Sequence, residues 1–301
     1  MRRTAEFDAF GPWMYEVTTD EDVPRLYRDH PVDLATAHLV LKVPRPIWRR
    51  DANPDMDLYD HLVIAGPDAL TVLSRRGTGY RTTVIDHDRI GALHAGVSLL
   101  DGLFQVRAVD TAGVAVEVRY NGVSHQLVEQ LVQVLRAQVG PAGHDRGVPS
   151  GIELDLRDLG GDDDALVASL RRLVRDDPTI VPVATHRRIG VTRTGGVVQS
   201  ALDWIRPVTL HAVVVGRSAG ELHLVHRRDW FSTGRGPVHS VAHTVVLTPR
   251  ITDVADVDVS RYEGARAVRI TIGNSVLDVP YPDGADSGPV VRAVAEASAV
   301  P

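Results

Sequence analysis

The clearest pattern of apolar and polar positions lies in residues 113–139. Apolar and charged side chains first alternate with a period of two, which indicates a half-buried strand over Val114–Arg119. The turn pair Asn121-Gly122 follows, and the apolar period then becomes that of an amphipathic helix, for which Ser124 is the expected cap. The predicted buried stripe of this helix is Leu127, Leu131, Val134 and Leu135.

Short apolar runs separated by turn residues precede this helix and are typical of strands. Turn chemistry is plainest at Gly66-Pro67-Asp68 and at residues 110–113. We predict strands at His38–Val43, His61–Ala65, Leu70–Ser74, Arg81–Ile85, Arg89–Ala95, Leu103–Val109 and Val114–Arg119. Together they favour an antiparallel sheet with an exposed edge and the closing helix laid over it.

Two acidic clusters, Asp20–Asp22 and Asp162–Asp164, each precede a segment with helical features. Carboxylates at a helix start accept hydrogen bonds from free amides and meet the positive end of the dipole. Pro31 and Pro178 would stop these helices. The apolar face of the second helix is predicted at Leu166, Leu170, Leu173 and Val174.

The chain also resembles itself. Residues 25–31 and 172–178 are identical at five of seven positions, at an offset of 147. Further blocks match in the same order, and the offset grows to 162 in steps that fall between blocks, where loops accept insertions. We predict two related halves, 1–139 and 152–301, joined by a Gly- and Pro-rich linker at 140–151. The alternative is coincidence in an Arg- and Val-rich chain.

Composition narrows the class of protein. The 301 residues carry a formal net charge of -6, which gives no general field that attracts nucleic acid or an anionic membrane. The chain has no cysteine, so disulfides and thiolate chemistry are excluded. The basic N-terminus lacks the apolar run of a signal peptide, and no apolar stretch has the length of a membrane span. We expect a soluble cytoplasmic protein.

Each predicted half resembles the bacterial pleckstrin-homology (PH)-like domains. The resemblance is carried by a strand hairpin, the phrase 88–93 (DRIGAL), a meander and a closing amphipathic helix, with 249–254 (PRITDV) as the second copy of the phrase. It implies an α+β fold in which residues 60–139 and 208–300 are half-open, mostly antiparallel barrels, each with a C-terminal capping helix. The leading helix of each half, within residues 15–50 and 160–195, lies outside the resemblance. The resemblance also implies binding of lipid headgroups or peptides, with no catalysis and no cofactor.

Basic residues close to an aromatic side chain form the candidate binding surface. Arginine beside an aromatic ring suits recognition of an acidic or phosphorylated partner. The candidate binding residues are Arg75, Arg76, Arg227, Arg228 and Trp230. The alternative is a solvated strand end with Trp230 packed onto the core. Arg217 is the one cation in the two first hairpin loops, so phosphoinositide binding is not favoured.

Thirteen histidines raise the question of a metal site. His239 and His243 have the spacing of a helical zinc motif, but their β-branched neighbours indicate a strand, on which the two side chains would be about 13 Å apart. His211 and His226 are the best pair for one ion, and a structural role is the favoured interpretation. No nucleophile elbow surrounds any serine. We therefore predict no metal site and no catalytic residue.

Three hypotheses for function follow. The first is a non-catalytic adaptor for protein partners, in which exposed sheet edges accept a peptide strand and two copies add avidity. The alternative is a small-ligand-binding protein or enzyme with its site in the cleft between the halves. The third is peripheral membrane association through the four arginines, which is not favoured. Nucleic acid is not an expected partner.

Overall fold

A computed structural model describes residues 4–139, 151–155, 157–195, 206–234, 238–284 and 288–298. The predicted linker therefore lies almost wholly outside the described residues. The helices are α1 (Ala5–Ala9), α2 (His125–Val139), α3 (Asp164–Asp176) and α4 (Gly288–Ser298). The strands before the linker are β1 (Tyr15–Glu16), β2 (Leu39–Pro44), β3 (Tyr59–Ala65), β4 (Ala69–Arg76), β5 (Gly79–Asp86), β6 (Ile90–Ser98), β7 (Asp101–Ala108) and β8 (Val116–Asn121).

The strands after the linker are β9 (Val181–His186), β10 (Ile189–Arg193), β11 (Val208–Leu210), β12 (Val213–Ser218), β13 (Glu221–His226), β14 (Phe231–Thr233), β15 (Ser240–Leu247), β16 (Asp253–Asp258), β17 (Tyr262–Glu263), β18 (Ala265–Ile272) and β19 (Ser275–Pro282). The described residues thus form a mixed α+β fold in which the strand pairings are antiparallel, with no closed barrel. Among them, no helix combines the length and the apolar character needed to cross a bilayer.

The strands predicted in the first half are confirmed, with ends that differ by at most three residues. The predicted amphipathic helix is α2, in which Leu131 and Leu135 are buried and Leu127 and Val134 pack against the same core. Ser124 does not act as predicted, because its Oγ accepts a hydrogen bond from the amide of Met14.

The prediction of a leading helix in the first half is wrong. Residues 20–22 and 25–27 form two short 3₁₀ turns instead. Pro24 lies between them, and a proline restricts the residue before it to extended backbone, as seen at Val23 (φ -62°, ψ 123°). In the second half the leading helix is confirmed as α3, which buries Leu166 and Leu170 as expected. Its acidic start differs from the prediction, since the Asp163 side chain does not cap the helix.

Four sheets organise the described residues. A five-stranded sheet has the order β1-β2-β3-β4-β5, and a three-stranded sheet has the order β16-β18-β19. A seven-stranded sheet has the order β8-β7-β6-β15-β13-β12-β9, so strands from both sides of the linker belong to one sheet. The short strands β14, β11, β10 and β17 form the fourth sheet.

The seam of the seven-stranded sheet is the pairing of β6 with β15, from Val246 opposite Ala92 to Ser240 opposite Ser98. Successive side chains of a strand point to opposite faces. Val245 and Leu247 therefore enter the core beneath α2, while Val246 enters the core beneath α4. The two parts of the chain share this sheet and are not independent bodies joined only by the linker.

Candidate functional site: a polar cleft at the seam

The predicted basic surface is divided between three environments. Arg75 donates from Nε to Asp60 Oδ1 at 2.8 Å and is half-buried on β4. Its neighbour Arg76 is exposed at the end of the same strand. Arg227, Arg228 and Trp230 follow β13, on a different sheet.

Arg227 is a correction to the prediction, because it lies in the interior with 2% of its surface exposed. Its Nε donates to Asp163 Oδ1 at 3.0 Å, and its Nη1 donates to the carbonyl of Ser240 at 2.7 Å. Asp163 belongs to the acidic start of α3 and is itself fully buried. The pair therefore attaches α3 to the sheet and does not offer a guanidinium to a partner.

Arg228 and Trp230 line a cleft of about 310 Å³, which we call the seam cleft. Its floor is one face of the seven-stranded sheet at the seam, with His94 on β6, Arg107 on β7 and Thr244 on β15. Residues from the other side of the linker form its wall. The wall residues are Arg228, Asp229, Trp230 and, on β19, Leu277.

Two of the three arginines around the seam cleft are paired with carboxylates. Arg228 Nη1 lies 2.6 Å from Asp101 Oδ2, and Arg119 Nε lies 3.4 Å from Glu117 Oε1. Arg107 differs, because among the described residues its side chain forms a hydrogen bond of 3.2 Å to Ser275 Oγ and no ion pair. Burial lowers the pKa of the Arg107 guanidinium, which nevertheless stays charged at neutral pH. The charge of Asp278 raises this pKa, but Asp278 is itself paired with Arg269 at 2.8 Å, so Arg107 has no ion pair of its own among the described residues.

A hydrogen-bonded chain of two histidines and one threonine crosses the seam. Thr244 Oγ1 lies 2.9 Å from His94 Nδ1 and 2.9 Å from His226 Nε2. The His226 ring stacks on Trp230 with centroids 3.9 Å apart, which fixes the indole over the sheet. Burial lowers the pKa of His94 to about 4 and that of His226 to about 3, so both rings are neutral at pH 7.

A second polar region lies in an open groove of about 1140 Å³ between α2 and α3. Here Arg136 of α2 donates to Glu221 Oε1 at 3.0 Å and to Asp177 Oδ2 at 2.7 Å. Burial favours a raised pKa for Glu221, but hydrogen bonds from His223 and Arg136 and the charge of Arg136 outweigh it and lower the pKa to about 2. These contacts fasten α2 to the second part of the chain.

The same groove contains a serine beside a histidine, which the sequence did not indicate. Ser218 Oγ lies 2.8 Å from His223 Nε2 but donates its proton to Glu221 Oε2 at 3.0 Å. His223 Nε2 also faces Glu221, at 3.4 Å, and so carries a proton itself. A base must have a free lone pair to activate a hydroxyl. The arrangement therefore satisfies a buried carboxylate and does not activate Ser218.

The histidines of the candidate metal pairs have contacts other than each other. His243 lies on β15 as predicted and stacks on His223, with ring centroids 5.3 Å apart. His226 contacts Thr244, whereas both ring nitrogens of His211 are buried without a hydrogen-bond partner among the described residues. Within the described ranges, no three metal-binding side chains form a group that could hold an ion.

Sequence reasoning missed His94, Arg107 and Thr244. The alternation of β6 and β7 could have placed His94 and Arg107 on one face, but nothing local marks β15 as the strand beside β6. No protein-family model, curated protein or solved structure matches this chain.

Proposed function

We propose that this chain is a non-catalytic, cytoplasmic protein-interaction adaptor built from two PH-like halves. The order of elements supports the two-unit architecture. Before the linker, the antiparallel strands β2 to β5 are followed by a 3₁₀ turn, the meander β6 to β8 and helix α2. After the linker, strands β9, β12, β13 and β15 are followed by a 3₁₀ turn, the meander β16, β18, β19 and helix α4.

The observation that carries the adaptor proposal is the contrast between two sheet edges. In the order of elements, β16 holds the place that β6 holds in the first half. The edge of β6 is filled by β15, whereas β16 pairs only with β18 in the described part of the chain. An unpaired strand offers backbone donors and acceptors to an added strand. Since β15 of this chain already pairs with the edge of β6, a partner strand could pair with the edge of β16 in the same way.

The chemistry of β16 limits what the added strand can be. Asp253, Asp256 and Asp258 lie along it, and Arg266 on the neighbouring strand pairs with the last two. Val254 and Val257 lie between them and are half-buried. We expect an extended partner segment with apolar residues and a net positive charge.

A substitution on this edge tests the proposal. Ala255→Lys on β16 places a charged side chain where strands are commonly protected from pairing. Val276→Lys, on β19 at the other edge of the same sheet, is the matched control. Partners captured from the native lysate by the wild-type chain should be lost with Ala255→Lys and kept with Val276→Lys. Hydrogen exchange of the wild-type chain should show new protection in β16 when the partner is bound. Capture unaffected by Ala255→Lys would contradict the β16 site.

Membrane association is less well supported than protein binding. Of the four arginines in that hypothesis, Arg227 is buried, and Arg75 and Arg228 already pair with carboxylates. Of the four, only Arg76 is both exposed and without a hydrogen bond or ion pair among the described residues. Flotation with anionic liposomes should therefore show no salt-dependent binding.

A second candidate function, binding of a small ligand between the halves, is favoured by one observation. Arg107 is a half-buried guanidinium that lacks an ion-pair partner among the described residues, and it lines a cleft of about 310 Å³, within the range of small-ligand sites. In a thermal-shift screen of small organic anions, at least one compound should raise the Tm of the chain. If no compound raises the Tm, this candidate function is contradicted and the adaptor proposal is unaffected.

A further inference from the structure

The hydrogen-bond chain across the seam fixes the position of each proton. His226 Nδ1 lies 2.6 Å from the carbonyl oxygen of Arg227, which can only accept, so the proton of this neutral ring is on Nδ1. Its Nε2 is then an acceptor, and it receives the hydroxyl proton of Thr244. The oxygen of Thr244 in turn accepts from His94 Nδ1–H.

This order leaves one lone pair without a partner. Since the proton of neutral His94 is on Nδ1, its Nε2 is an acceptor with no hydrogen-bond donor among the described residues. His94 lines the seam cleft, and a methyl group built at Gly96 would lie 3.1 Å from that Nε2. The absence of a side chain at Gly96 therefore keeps the acceptor open.

Arg107 supplies the complementary group on the next strand. It lies opposite Ala92, two residues from His94 on the same face of β6, so the two side chains are diagonal neighbours on the cleft floor. Ser275, which accepts from Arg107, gives its own proton to the carbonyl of Gly113. The remaining N–H groups of Arg107 are available to one anionic group.

The wall of the cleft includes two apolar residues. The Trp230 indole is held by its stack on His226, and Leu277 also lines the cleft. A flat apolar body between the two polar ends of a ligand would contact this wall. The volume of the cleft accommodates a molecule with a single ring.

We propose that the seam cleft binds a small planar organic monoanion that also carries a hydroxyl donor, with the anion on Arg107 and the hydroxyl on His94 Nε2. This assignment rests on the second candidate function and names its ligand class. Arg107 sets the charge of the ligand. His94 selects for the donor, because a ligand without one leaves a buried acceptor unpaired.

Three related probes separate the parts of the proposal. 4-Hydroxybenzoate has the anion and the donor, benzoate lacks the donor, and 4-hydroxybenzyl alcohol lacks the charge. Calorimetric titration of the full chain at pH 7 should give at least tenfold tighter binding for 4-hydroxybenzoate than for either analogue. Equal affinity for benzoate would overturn the role of His94 alone. No binding of any probe would overturn the ligand site itself.

Variants locate the binding in the cleft. Arg107→Met should lower the affinity for 4-hydroxybenzoate and for benzoate by at least tenfold. Arg119→Met, at the exposed rim, should change neither affinity by more than about twofold. Gly96→Ala should lower the affinity for 4-hydroxybenzoate more than that for benzoate. The new methyl group crowds His94 Nε2, while both Arg107 and His94 remain in place. Circular dichroism spectra identify any variant that fails to fold. For such a variant, the comparison of the three probes on the wild-type chain tests the proposal instead. Unchanged affinities in Arg107→Met would contradict the assignment.

Discussion

At the residue scale, two adjacent arginines have opposite environments. Side chains of successive strand residues point to opposite faces, and Arg227 and Arg228 continue this divergence just beyond β13. Arg227 is enclosed by the start of α3, while Arg228 reaches Asp101 across the seam. A sequence pair that looks like one basic patch thus divides into an interior ion pair and a cleft residue.

Arg227→Met should destabilise the protein strongly. Removing one partner of a buried ion pair costs about 3–5 kcal/mol in the free energy of unfolding. Here it leaves the buried Asp163 carboxylate with Arg188 as its remaining cation, at 3.6 Å and without a hydrogen bond. The double variant Arg227→Met, Asp163→Leu should recover much of this loss. Arg76→Met, on the exposed end of β4, is the control and should change stability by less than about 0.5 kcal/mol. Urea unfolding measures all three, and a small effect of Arg227→Met would show that the arginine is solvated.

At the element scale, β15 is the strand that the two cores share. Its alternating side chains enter both cores, and its pairing with β6 gives the seam cleft its floor. The consequence is that a residue after the linker stabilises strands before it.

Val245→Ala should loosen the first core although the residue lies in the second part of the chain. Loss of two buried methyl groups, with the cavity left behind, should lower the free energy of unfolding by about 2–3 kcal/mol. Amide exchange should quicken in β6 and α2. Val276→Ala, which is 40% exposed on β19, is the control and should leave exchange in β6 and α2 unchanged. Faster exchange confined to strands after the linker would contradict the shared core.

At the scale of the whole molecule, buried neutral histidines make stability depend on pH. Burial lowers the pKa of His94, His125 and His211 to about 4 and that of His226 to about 3, whereas an unfolded histidine titrates near 6.5. Between these values the unfolded chain binds more protons than the folded chain, so the free energy of unfolding rises with pH in this window. The stabilisation is complete above about pH 6.5 and is lost as the pH falls toward 4.

Urea unfolding at pH 7, 6, 5 and 4 should show this fall as a progressive loss of stability. His211→Leu should make the pH dependence shallower, because it removes one of the buried rings whose pKa is lowered in the folded chain. It should cost little at pH 7, since both nitrogens of His211 are buried without a partner in the described structure. An identical slope in this variant would contradict a contribution of His211 to the pH dependence.

The sequence by itself determined the local elements. Strands such as β4 and β7 and helix α2 follow from apolar periods that depend on neighbours a few residues apart, and their predicted bounds are close to the observed ones. The same reasoning failed where one local signal opposed another, as at Pro24, whose geometry outweighed the acidic cluster before it.

Only the tertiary structure decided which strands meet across the linker. His94 and Thr244 are 150 residues apart and become neighbours because β6 pairs with β15. Nothing in the local sequence of either strand indicates that the two will pair. The burial of Arg227, the open lone pair of His94 and the position of Arg107 in the cleft all follow from that arrangement. Periodicity reports which face of an element is apolar, but the position of each polar group depends on what the rest of the chain places against it.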